Sequence, residues 1–192
     1  MKKGFTLVEI LVVMAIMAVV GTIMVAIFTN TLRGSNKSQI LAVIKQNGQS
    51  VLEDMNRVIR GADDIICPQS GSPSDTLVIA KEGIYTRFRF IPPSGNINGS
   101  INQDSPVAGS DLTAFLNSVC TDLLDPLATA VLTDTNPQSG VSVDSATFTR
   151  NKQSGFEDNV TVSFILKPGA GIPPAVSSQI DPVVFQTTVQ LR

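Results

Sequence analysis

The N-terminal part of the chain is dominated by apolar residues. Residues 5–28 form a run of 24 residues in which Glu9 is the only charged side chain. A helix of that length spans about 36 Å, enough to cross the hydrocarbon core of a bilayer. A carboxylate inside such a segment costs about 3 kcal/mol on insertion scales, so its presence predicts a specific partner for Glu9. The run is longer than the apolar region of a cleaved secretory signal, and we expect the mature chain to keep it.

The apolar pattern continues beyond Phe28 with a helical period. Apolar residues recur at intervals close to 3.6, which predicts an amphipathic helix that continues to about Ala62. Gly34-Ser35, Gly48 and Gly61 are weak points of this helix, each costing up to about 1 kcal/mol relative to alanine, and Gly61 is the predicted stop. The residues that form the apolar stripe are Ile40, Ile44, Val51, Met55, Val58 and Ile59.

The rest of the chain has the alternating pattern of strands. Residues 76–80 and 84–91 flank a short loop with Gly83, which predicts a β-hairpin. Residues 94–110 are rich in Ser, Gly and Asn and are predicted to form an exposed loop. Further strands are predicted at 141–149, 160–166 and 183–191, and a short helix, capped by Ser110 or Asp111, is predicted at 112–123. The predicted fold class is α+β, with a long N-terminal helix packed on a mainly antiparallel sheet.

Composition and charge exclude several kinds of function. The chain has no histidine, which removes the commonest general base and metal ligand. Residues 63–192 carry seven basic and thirteen acidic side chains, a net charge of −6 that would repel nucleic-acid phosphates. Acidic pairs occur at Asp63-Asp64, Asp122/Asp125 and Glu157-Asp158, but they fall in predicted turns and surface segments. We therefore predict no enzymatic activity, no catalytic residue and no direct binding of nucleic acid.

Two cysteines, Cys67 and Cys120, are compatible with an oxidising compartment. A bridge between them would close a loop of about 54 residues and would stabilise the fold by about 4 kcal/mol in the chain-entropy estimate. The alternative is two buried free thiols. Two widely spaced cysteines are too few ligands for a structural zinc site, so we predict no metal there.

The first nine residues also carry a motif: Lys2 and Lys3, then Gly4, Phe5, Thr6, Leu7, Val8 and Glu9. This segment resembles the processing signal of type IV prepilins and of the pseudopilins of type II secretion. The resemblance implies cleavage after Gly4 by an inner-membrane aspartyl protease, the prepilin peptidase, which also methylates the new amine of Phe5. It implies as well that Glu9 neutralises the amino-terminal charge of Phe5 on a neighbouring subunit. A plain signal anchor would explain the hydrophobicity, but not Gly4-Phe5 or Glu9.

The resemblance also implies a domain organisation and a location. Residues 1–4 would be the leader, 5–28 the transmembrane helix, 29–62 the amphipathic stem and 63–192 an extracytoplasmic, β-rich head. Lys2 and Lys3 favour a cytoplasmic N-terminus, and Arg33 and Lys37 weaken that bias. The expected location is the cytoplasmic membrane, in contact with lipid, and later a pilus or pseudopilus filament. The implied partners are other pilin or pseudopilin subunits, the prepilin peptidase, an inner-membrane platform protein and a cytoplasmic ATPase.

The end of the predicted stem, residues 51–62, and the closing segment, residues 185–192, resemble J-type pseudopilins and W-type minor pilins. They favour a minor subunit over a major pilin. A third hypothesis is a membrane-anchored binding protein that never polymerises. Some pseudopilins bind calcium in head loops, but no stretch here has the alternating Asp/Asn spacing of a dedicated calcium loop. We therefore predict no cofactor and assign no calcium ligand.

Overall fold

The computed structural model of the chain describes residues 6–122, 124 and 128–191. A long helix comes first and antiparallel strands follow, which confirms the predicted α+β fold class. The helices are α1 (Leu7–Arg60), α2 (Leu112–Ser118) and α3 (Pro174–Ser177). The strands are β1 (Asp64–Cys67), β2 (Pro73–Ser74), β3 (Thr76–Lys81), β4 (Ile84–Ile91), β5 (Ser100–Asp104), β6 (Ala130–Val131), β7 (Val141–Asn151), β8 (Asn159–Pro168) and β9 (Val183–Gln190). The chain divides between Gln39 and Ile40 into two compact units.

The first unit is the apolar part of α1. Its side chains from Thr6 to Phe28 are all exposed, and an 18-residue window reaches a mean hydropathy of 2.9, so this helix is long and apolar enough to cross a membrane. The hydroxyls of Thr22, Thr29 and Thr31 donate to backbone carbonyls three or four residues earlier, at 2.7–2.9 Å. Threonines in this segment therefore satisfy their hydrogen bonds within the helix, as an apolar surrounding requires.

In the second unit, the last turns of α1 supply one wall of the core. The inward residues of this part are spaced by three or four positions, which places them on one face of the helix. They pack with inward side chains of both sheets in one apolar cluster. The buried helical residues are Ile44, Gly48, Val51, Met55 and Ile59. The helix ends at Arg60, and Gly61 donates to the Val58 carbonyl at 3.2 Å, in agreement with the predicted stop.

Gly48 has a packing role that its helix propensity does not reveal. The aromatic ring of Phe185, on β9, lies directly over the Gly48 backbone, so that a Cβ at position 48 would overlap three ring carbons. The other face of the ring stacks on Phe164, with ring centroids 5.3 Å apart. The glycine that weakens the helix is therefore the residue that lets β9 approach it.

The strands form two antiparallel sheets, with orders β1-β3-β4-β5-β6 and β2-β7-β8-β9. The predicted hairpin is confirmed as β3 and β4, paired from Thr76↔Arg89 to Lys81↔Ile84. Gly83 adopts φ 79°, a left-handed conformation that glycine accepts without strain. The three later strands are also confirmed, although β7 and β8 are longer than predicted, and Asp111 is the N-cap of α2.

Two details of the prediction are wrong. Residues 94–110 are not an exposed loop throughout, because β5 lies within them and pairs with β4. Asp104, at the end of β5, tolerates burial because it forms an ion pair with Arg87, which is also buried. The second helix ends at Ser118 rather than near residue 123, because two arginines of β4 bind the carbonyls that follow it. Leu123 itself lies outside the described residues.

Candidate assembly site

Glu9 lies in the first turn of α1, where it forms a capping box with Thr6. The Thr6 backbone N–H donates to Glu9 Oε2 at 3.4 Å, and the Glu9 N–H donates to Thr6 Oγ1 at 3.3 Å. Reciprocal bonds of this kind satisfy donors that a helix N-terminus leaves without intrahelical partners. They also place an anionic side chain at the positive end of the helix dipole.

The surroundings of this carboxylate are apolar. Glu9 and its neighbours are exposed, and within the described residues no lysine or arginine forms an ion pair with it. The next charged residue along α1 is Arg33, 24 positions further, which corresponds to about 36 Å along the helix axis. The cation that would neutralise Glu9 in an apolar assembly must therefore come from outside the described part of this helix.

Thr6 is the member of this site that sequence reasoning did not single out. The signal was present, because Thr6 and Glu9 have the Ser/Thr-x-x-Glu spacing of a capping box immediately before an apolar run. Gly4 and Phe5, the predicted cleavage and methylation residues, lie outside the described residues, as do Lys2 and Lys3. Their roles remain predictions.

Comparison with protein families supplies the deciding observation. Residues 1–25 match the family model described as the prokaryotic N-terminal methylation motif. The chain has the N-terminus of a type IV pilin-like protein. No curated protein and no solved structure matches it significantly. The match covers the segment in which Thr6 and Glu9 lie, and it leaves the J-type or W-type assignment of the head as a prediction.

The pilin-like family is structural. Its members interact with other pilin subunits and are processed by the prepilin peptidase, and its apolar N-terminal helix is a membrane anchor. The long helix of this chain, with every described side chain up to Phe28 exposed, has the length and composition of such an anchor.

In the β-rich part of the chain, a disulfide joins Cys67, at the end of β1, to Cys120, just after α2. Their Cα atoms are 6.2 Å apart, and the bridge spans 53 positions of sequence. Val78 and Val119 are buried beside it, and Tyr85 packs against Phe115 with ring centroids 4.8 Å apart. The bridge therefore fastens α2 to the five-stranded sheet, β1-β3-β4-β5-β6, on the face that is opposite the stem.

Two arginines of β4 hold the same segment. Arg87 is 2% exposed; its Nε donates to Asp104 at 2.9 Å and its Nη1 donates to the carbonyls of Val119 and Asp122. Arg89 donates to the Cys120 carbonyl at 2.8 Å. Burial, followed by the neighbouring Arg87 charge, lowers the pKa of Arg89. These guanidinium groups make charge-assisted bonds to the carbonyls that follow α2, among them that of the buried Val119.

Four residues of the acidic pairs have structural partners. Asp64 and Asp158 both contact Arg150. The Asp63 carboxylate accepts the Glu82 N–H at 2.7 Å, and Asp122 accepts the Ser118 hydroxyl at 2.7 Å. Asp125 lies outside the described residues. Among the described residues no three Asp, Glu or Cys side chains cluster as metal ligands would.

Proposed function

We propose that this protein is a structural subunit, a minor pilin or pseudopilin of the J/W kind, of a type IV pilus-like filament. The observation that carries the proposal is the N-terminal methylation motif at the start of an apolar helix whose only charged residue before Arg33 is Glu9. In this proposal the chain is cut after Gly4, methylated on Phe5, and has no enzymatic role.

Assembly would pair the Glu9 carboxylate of one subunit with the Phe5 ammonium of a neighbouring subunit. Cleavage creates an amino group on Phe5, and in a bundle of apolar helices this ammonium is costly unless a carboxylate faces it. Glu9 is suited to that role because its Oε2 already accepts the Thr6 N–H, while a carboxylate can accept about four hydrogen bonds in all. The capping box would thus give Glu9 a partner before assembly, and the neighbour's ammonium a further one after it.

The remaining parts of the chain follow the same proposal. The precursor would cross the cytoplasmic membrane once, with the disulfide-bonded head outside the cytoplasm. A platform protein in the inner membrane and a cytoplasmic ATPase would draw subunits from the membrane into the filament. Exposed apolar side chains of residues 7–28 would exchange lipid contacts for contacts with neighbouring helices.

The experiment measures the ratio of filament to membrane protein for wild type, Glu9→Val and Glu9→Gln at equal expression. Both variants remove the charge, but glutamine keeps an oxygen that can accept the Thr6 N–H. We expect both to reach wild-type levels in the membrane, because loss of the charge lowers the insertion cost. We also expect both to be depleted from filaments, because the neighbour's ammonium would be buried without a carboxylate.

The two variants separate the explanations. A wild-type ratio for Glu9→Gln with a reduced ratio for Glu9→Val would mean that helix capping, not charge, explains Glu9. A wild-type ratio for both would contradict assembly by charge pairing and favour a tip position with no subunit above it, whereas absence of the wild-type chain from filaments would favour the membrane-anchored binding protein. The copy number of the chain in sheared filaments distinguishes a minor subunit from a major pilin.

A further inference from the structure

The strand β9 forms an open edge of the β2-β7-β8-β9 sheet. It pairs with β8 along all eight residues without a bulge. In the part of the chain that the structure describes, no strand pairs with its other side, and its backbone makes no hydrogen bond outside the sheet. Alternate residues of an edge strand direct their N–H and C=O groups away from the paired strand, so about four residues of β9 offer free backbone groups.

The composition of β9 does nothing to protect this edge. Natural sheets protect long edges with lysine, proline or bulges, or keep edge strands short. The other described edges follow these rules: β2 and β6 have two residues each, and β1 has four, one of whose carbonyls accepts a bond from Arg150. In contrast, β9 is long and regular, and none of its residues is charged. The side chain of Val184 is 61% exposed.

At its Gln190 end, β9 opens onto a cationic cavity. This cavity has a volume of about 1020 Å³, and its lining includes Thr188, Gln190, Arg57, Arg60 and Lys81. In the described residues, Arg57 is paired with Asp54 at 2.6 Å, whereas Arg60 is bonded only to the Asn56 amide oxygen and Lys81 forms no ion pair. The one carboxylate of the lining, on Asp63, accepts the Glu82 N–H. Two cations that form no ion pair in the described residues, Arg60 and Lys81, therefore lie where the open edge ends, although residues 63–192 carry a net charge of −6.

We propose that the β9 edge docks an extended segment of another subunit of the same filament, antiparallel to β9, with an acidic residue at the segment's N-terminal end. An antiparallel partner begins where β9 ends, so this residue would lie in the cationic cavity. Backbone hydrogen bonds would provide affinity, and the carboxylate would fix the register of a strand that otherwise has no charge to set it. The inference rests on the proposed function for the identity of the partner.

The occupant is a different subunit rather than a second copy of β9. Phe185 contacts Gly48, and Gln190 lines the same cavity as Arg60, so β9 runs in the same direction as the end of α1. Antiparallel pairing of two β9 strands would therefore point the two stems in opposite directions. Such a pair is incompatible with stems packed in parallel in one filament.

The first test uses the full chain in detergent micelles and a labelled peptide, Asp-Thr-Val-Thr-Val-Thr-Gln. One control peptide begins with Lys, and a second has Pro in place of its central Thr and so lacks a backbone donor. We expect the Asp peptide to bind about tenfold more tightly than the Lys peptide. We also expect the Pro peptide to bind weakly. The double variant Arg60→Glu/Lys81→Glu should reverse the preference between the Asp and Lys peptides, and its melting curve verifies that it is folded.

Two results of this test would overturn the proposal. Equal binding of the Asp and Lys peptides would show that Arg60 and Lys81 do not recognise the charge of the segment's first residue. An absence of binding by folded protein would show that the edge is closed. Neither result depends on filament formation, so this test is independent of the Glu9 experiment.

The second test identifies the partner in cells. A photoreactive residue replaces the exposed Gln186, and the adduct is identified by mass spectrometry. An adduct with another protein that carries the N-terminal methylation motif supports the proposal. An adduct with a second copy of this chain, with an unrelated protein, or with none overturns the stated occupant. Loss of the adduct in the Arg60→Glu/Lys81→Glu variant would tie it to the same surface.

Discussion

The contact between Gly48 and Phe185 predicts that a substitution normally favourable in helices is harmful here. Replacing glycine by alanine inside a helix stabilises it by up to about 1 kcal/mol. At position 48 the new methyl group would overlap ring carbons of Phe185. The ring cannot simply withdraw, because its other face stacks on Phe164. Overpacking of a filled core costs about 1–3 kcal/mol, so we expect Gly48→Ala to lower the free energy of unfolding by about 1 kcal/mol.

The assay is thermal or denaturant unfolding of the full chain in detergent, followed through the head. A loss of about 1 kcal/mol corresponds to a melting temperature about 2–4 °C lower for a unit of this size. The matched control is Gly61→Ala, where the nearest atom to a new Cβ is Lys81 Nζ at 3.5 Å, an ordinary contact. We expect that variant to lie within about 0.5 kcal/mol of wild type.

A double-mutant cycle identifies the cause. Phe185→Leu alone should cost about 1–2 kcal/mol through lost ring contacts. Combined with Gly48→Ala, it should cost less than the sum of the single effects by more than about 0.5 kcal/mol, because the smaller side chain leaves room for the methyl group. If Gly48→Ala is as stable as wild type, or if the two effects are additive, the close approach of β9 and α1 does not determine the role of this glycine.

Three further predictions concern the N-terminus and the head. N-terminal mass spectrometry of protein from a host with the prepilin peptidase should find a methylated chain that begins at Phe5, and a retained leader would contradict the processing signal. Cys67→Ser should lower the free energy of unfolding by about 4 kcal/mol, since the unfolded chain regains the freedom of a long loop; an unchanged unfolding curve would show that the bridge does not stabilise the head. Arg87→Met should cost about 3–5 kcal/mol, because it takes the ion-pair partner from the buried carboxylate of Asp104. The exposed Arg57→Met should cost no more than about 1 kcal/mol, and equal losses in the two arginine variants would refute the role of burial.

The elements predicted correctly are those whose side chains alternate clearly. In β4, Ile84, Phe88 and Phe90 share one face, and a loop containing glycine sets the hairpin with β3. The last strand was predicted from the same alternation. In these segments a local pattern and the global fold agree, so a single sequence is enough to find them.

The strand β5 could not be found in this way. Four of its five residues are polar, and this local composition predicts a loop. Its stability comes from residues far away in sequence, above all the ion pair between Asp104 and Arg87. Likewise, the end of α2 depends on the arginines of β4, more than 30 positions earlier. Interactions across such distances leave no periodic signal in the sequence.

At the N-terminus the limit of prediction is of another kind. Hydropathy alone predicts a membrane helix and presents Glu9 as a cost. The capping box shows that the carboxylate also serves the helix in which it lies, since it accepts the Thr6 N–H in a single chain. A charge that is useful only in the filament would destabilise every subunit that is still in the membrane. A charge that also caps its own helix is partly compensated in that state, which makes the capping role of Glu9 compatible with its proposed role in assembly.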